Sequence, residues 1–178
     1  MFDPTIFDNW KVVLEGEIYD RDLSGELQVI HRSDHLDMAA MARALRIQFC
    51  LHGESAHHIT VELAASAEDL MKEILETDSD SAGCRLTMHY SSSLPIAMSD
   101  EELRMNAVRI RHLLSEVWGD AVGLEQNLTS RLSDDGQCLS WNCNTRGEFH
   151  RKLNESHIED IPELVNTMID LLKRLEAI

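Results

Sequence analysis

The densest metal-like group of side chains in this sequence is His31, Asp34 and His35, an H-x-x-D-H run. Two neutral imidazoles and a carboxylate suit zinc or another divalent ion. Histidines four residues apart share a face within reach of one ion only on a helix, since a strand spreads them about 13 Å apart, yet the residues leading to His31 read as strand. A polar strand-to-helix connection, with Ser33 or Asp34 as N-cap, accounts for the same letters. The metal reading is therefore the alternative expectation: a metal-binding protein or metal-assisted enzyme using His31, Asp34 and His35, with His89 as a distant fourth ligand.

Other chemistries find less to work with. His57 and His58 are adjacent, so on a strand they point to opposite faces and cannot share an ion. Asp78, Asp80 and Gly83 open like a calcium loop, but Ala82 and His89 stand where oxygen ligands are needed. The four cysteines include no C-x-x-C, and free thiols are expected. On their strand, Cys138 is expected on the polar side and Cys143 on the apolar side. Ser91, Ser92 and Ser93 have no base placed by spacing alone, and no nucleophile-elbow or phosphate-loop motif occurs. No catalytic residue and no cofactor is expected, and an enzyme is the less favoured class.

The elements that would position these residues follow from periodicity. Asp3-Pro4 reads as a capped helical turn, with Phe2 and Phe7 at the staple positions. Trp10, Val12, Leu14 and Ile18 alternate with polar residues and predict a strand from Trp10 to Tyr19. Leu27 and Val29 predict its antiparallel neighbour. Alanine and methionine content predicts a helix over 34–44. Leu45, Ile47, Phe49 and Leu51 predict a strand, and His52–Ala56 a turn into Ile59, Val61 and Leu63.

Ser66 and Asp69 frame a capping box for a helix through Leu75, and Leu86, Met88 and Tyr90 a further strand. Ser99 and Glu102 form the clearest capping box, followed by the stripe Leu103, Ala107, Ile110, Leu114 and Val117, with Gly119 as terminator. Val122–Leu132 and Leu139–Cys143 predict a hairpin turned by Ser133-Asp-Asp-Gly136. Asp160 with Pro162 starts the last helix. Strands pair locally and do not alternate regularly with helices. The expected fold is a single α+β domain over 1–178: a largely antiparallel sheet of local hairpins with two to four helices on one face.

Composition narrows the partners. The chain has 178 residues and a formal net charge of −16, from 32 acids against 16 bases. Such a field repels phosphate backbones and anionic lipid, so neither nucleic acid nor membrane is an expected partner. Arg104, Arg109 and Arg111 make the nearest thing to a basic cluster. Met1-Phe2-Asp3-Pro4 reads as neither a basic n-region nor an apolar h-region, so the expected compartment is the cytoplasm. A third reading, a cationic ligand held by carboxylates and tryptophan faces, follows from the same charge. The expected function is a non-catalytic protein-interaction or regulatory module, adaptor or chaperone-like. Its partner would carry a basic or amphipathic surface, and it could form a homo-oligomer.

Overall fold

Phe7, Trp10, Leu14 and Ile18 are spaced three and four residues apart, and all four side chains are buried. That spacing builds the first helix of the computed structural model, α1 (Thr5–Leu23). The structure describes residues 5–53, 55–75 and 82–178. The strand expected from Trp10 to Tyr19 is thus corrected to helix. Every second one of its alternating positions (Trp10, Leu14, Ile18) falls on a four-residue spacing, and Val12, counted on the apolar face, is exposed. The cap at Asp3-Pro4 and the loop opening at Asp78 lie outside the described residues.

The remaining elements are β1 (Leu27–Asp37), β2 (Ala42–Leu51), β3 (His57–Ala65), α2 (Ala67–Ile74), β4 (Arg85–Leu94), α3 (Asp100–Trp118), β5 (Val122–Leu132), β6 (Cys138–Phe149) and α4 (Ile161–Leu175). Six strands form one antiparallel sheet in the order β1-β2-β3-β4-β6-β5. This is the α+β arrangement that local hairpins predict. The helix expected over 34–44 is instead the end of β1, a turn and the start of β2. Asp37 accepts hydrogen bonds from the Ala39 and Ala40 N–H groups, and Met41 takes a positive φ of 49°. Cross-strand pairing from His35–Ala44 to Asp37–Ala42 outweighs the modest helix preference of alanine.

The strand period of two divides the sheet into unlike faces. Leu45, Ile47, Phe49, Ile59, Val61, Leu63, Leu86, Met88 and Tyr90 face inward and join α1 and α4 in one core. Each such large side chain contributes about 1.5–3 kcal/mol when fully buried. The outer face carries Arg46, Gln48, Thr60, Glu62, His89, Asn144 and Arg146, in register across four strands. Both capping boxes form as read: Ser66 with Asp69, and Ser99 with Glu102. The expected cap at Asp160 does not form. Asn154 caps a 3-10 segment over Glu155–Asp160 that runs straight into α4.

Candidate functional site

The register of β1 decides the fate of the H-x-x-D-H run. A bulge between Val29 and His31 shifts the pairing, so that His31 lies opposite Gln48, Asp34 opposite Leu45 and His35 opposite Ala44. His31 and His35 consequently belong to the polar outer face, about 13 Å apart along an extended strand. Asp34 belongs to the helix-covered face, where it accepts hydrogen bonds from Lys11 and from Arg43. Burial works against its charge, but the two cations outweigh that and hold its carboxyl below the ordinary range. The structure therefore does not bring the three together. Among the described residues, no group of three or more His, Cys, Asp or Glu side chains is placed to hold an ion.

Sequence spacing left Ser91, Ser92 and Ser93 without a base, but the fold supplies one. His57 lies opposite Ser92 on the neighbouring strand, and its Nδ1 is 2.7 Å from Ser92 Oγ. Glu176, just past the end of α4, accepts a hydrogen bond from Ser55 and raises the His57 pKa against the larger lowering effect of burial. A serine, a histidine and a carboxylate thus cluster at one corner of the sheet. Ser92 is only 1% exposed, which keeps the hydroxyl away from any substrate. The group works as a polar clasp between β3, β4 and the end of α4, buried at Ser92 and open to solvent at Glu176. The signal that could have found it is the pairing of β3 with β4, which sequence alone left open.

His57 and His58 point to opposite faces, as their adjacency requires. Burial lowers the pKa of His58, helped by the neighbouring His57, and burial likewise lowers that of His89, with Arg146 and Arg46 acting in the same direction against Glu62. All four cysteines are free. Burial pushes the Cys84 thiol up to about 12, which removes its nucleophilic character near neutrality. Cys143 is buried on the inner face beside Gln126, whose amide nitrogen lies 3.3 Å from its sulfur.

A cavity of about 220 Å³ opens where β1, β2 and β3 meet α2, lined by His35, Arg43, Ala44, Ala64, Asp69 and Arg85 among others. Its charges are already engaged. Arg43 pairs with Asp8 and Asp34, Asp69 with Lys152, and Arg85 with Glu148. Among the described residues, no tryptophan lines it. The Trp10 indole N–H donates to the Asn154 carbonyl, and Trp118 donates to the Tyr90 hydroxyl while meeting Phe149 edge-on.

No helix among the described residues is long and apolar enough to cross a membrane. Comparison of the chain with protein-family models, with curated proteins and with solved structures gives no match.

Proposed function

We propose that this protein is a non-catalytic interaction module that holds a basic, amphipathic segment of another protein. The observation that carries the reading is the orientation of α2. This helix buries Asp69 and Leu70, and Met71 and Ile74 with the C-cap residue Leu75 turn outward, at 56%, 66% and 61% exposure. Their spacing of three and four residues makes a single apolar strip. Amphipathic helices ordinarily turn such a strip to the core, and an exposed one marks a contact surface. Glu68 and Glu73 lie within the same turns. The net charge of −16 adds a long-range attraction for cationic segments.

The test is a titration of a labelled amphipathic lysine- and leucine-rich helical peptide, followed by fluorescence anisotropy. Saturable binding that weakens with salt is expected, and Ile74→Glu should weaken it roughly tenfold by placing a charge on the strip. A lysine-rich peptide without apolar residues should bind far less. Equal binding of both peptides, or of both protein variants, would dispose of the reading.

A further inference from the structure

The two edges of the sheet are built differently. On β1 the bulge at Val29/His31 breaks the pairing face, and Arg32 and Asp34 place charges on the inner side, where they meet Glu15, Lys11 and Arg43. Bulges and inward charges are devices that keep an edge from pairing with another chain. The opposite edge, β5, has no inward charge, and the one irregularity in its ladder, between Arg131 and Leu132 at its far end, places the extra residue, Leu139, on β6. Its pairing with β6 runs unbroken from Val122 to Arg131, without proline, lysine or an inward charge. An edge of that length, left open, is a template for another strand.

Two charges on β5 point to the occupant. Among the arginines of the sheet, Arg32, Arg43, Arg46, Arg85 and Arg146 each have an ion-pair partner. Arg131 has none among the described residues, and neither has Glu125. Both are exposed on the same strand face, about 20 Å apart along β5, too far to meet within one chain.

We infer that β5 pairs antiparallel with β5 of a second copy of this chain, joining the two sheets edge to edge. A two-fold axis normal to the sheet keeps the helix-covered faces on one side and allows only registers in which like faces meet. With the axis at Leu128, Glu125 of each copy lies opposite Arg131 of the other, and Asn127 lies opposite Thr129. On the inner face Leu128 meets its own copy and Leu124 meets Leu132, which is 58% exposed in the single chain. Moving the axis to Asn127 sets Arg131 against Gly123 and Leu124 against Ser130, and both complementarities vanish. Helix α3 runs beside β5, with Gln126 donating to the Ala107 carbonyl, and carries Met105 and Val108 exposed. This dimer rests on no part of the partner-binding reading above, since α2 lies elsewhere in the fold.

Sedimentation equilibrium of the full chain tests it. The wild type should sediment at twice 20.2 kDa. Glu125→Arg and Arg131→Glu, each creating two like-charge pairs, should each weaken the dimer by roughly tenfold or more. The double exchange, Glu125→Arg with Arg131→Glu, should restore it. Hydrogen exchange on the wild type gives a readout free of any variant: alternate β5 amides should be protected at high protein concentration and exchange freely on dilution. A monomer at about 100 μM, or a dimer indifferent to both reversals, overturns the assignment. So does a double exchange that fails to rescue, or protection confined to another edge.

Discussion

His57 Nδ1 and Ser92 Oγ lie 2.7 Å apart, in a contact that joins positions 35 residues distant along the chain. Ser92 is buried, so the bond serves the fold, closing the corner where β3, β4 and the end of α4 meet. His57→Ala removes the partner and leaves a buried hydroxyl unsatisfied, which should cost about 1–3 kcal/mol in urea unfolding. A fluorophosphonate probe should leave Ser92 unlabelled in the folded protein. Labelling there would mean that the hydroxyl can be reached and that the clasp has chemistry.

Acid should destabilise the fold in two steps. Burial lowers the pKa of His57, His58 and His89 below the ordinary 6.5, so the folded state favours their neutral forms. Their contribution is complete above about pH 6.5 and is lost as pH falls through that value toward the folded-state pKa. Burial opposes the charges of Asp34 and Asp69, yet Arg43 and Lys11 in one case, and Lys152 and Ser66 in the other, keep both carboxyls below 3.8. That contribution disappears only below about pH 4. Melting temperature measured from pH 8 to pH 3 should therefore fall first below 6.5 and again below 4. A flat curve between pH 7 and pH 5 would contradict the histidine assignment, and His57→Gln should flatten the upper step.

Gly83 is held where the chain enters β4 against Leu153. A Cβ added there would stand 2.5 Å from the Leu153 carbonyl oxygen, beside the Cys84–Leu153 bridge. Backbone is in the way, and no side chain can swing aside to make room. Gly83→Ala should cost about 1–3 kcal/mol, whereas the same change at exposed Gly16 inside α1, where nothing lies within 4 Å, should stabilise by about 0.5–1 kcal/mol. Chemical denaturation of the two variants compares them directly.

Asp34 is committed to Lys11 and Arg43, which ties α1 to the β1–β2 hairpin. Asp34→Ala should lower stability by about 1 kcal/mol, with Zn²⁺ affinity by calorimetric titration no different from the wild type. A loss of zinc binding in that variant would return the H-x-x-D-H run to consideration.

Asp69 is the more costly carboxylate. It is buried, accepts from the Ser66 N–H and hydroxyl, and pairs with Lys152 across 83 residues of chain. Asp69→Ala strips the cap of α2 and leaves the Lys152 ammonium without its partner. A loss of about 2–4 kcal/mol is expected from thermal or urea unfolding.

Local signals in the residue order were enough wherever one physical cause acted alone. Ser99 with Glu102, the stripe along α3, and Asp-Gly in the β5–β6 turn each specify their element within a few residues. The failures fall where two periods coincide or where propensity meets pairing. Trp10, Leu14 and Ile18 satisfy both a period of two and a spacing of four, and only the core into which they pack distinguishes helix from strand. Residues 34–44 favour helix one by one, yet the hydrogen bonds of an adjacent strand outweigh that small preference. The candidate sites depended wholly on the fold. Strand alternation put Asp34 on the face opposite His31 and His35, and the bulge between Val29 and His31 decided which face each took, while strand pairing set His57 beside Ser92. Face and neighbour in a sheet are properties of register, and register is settled between strands that sequence order does not place together.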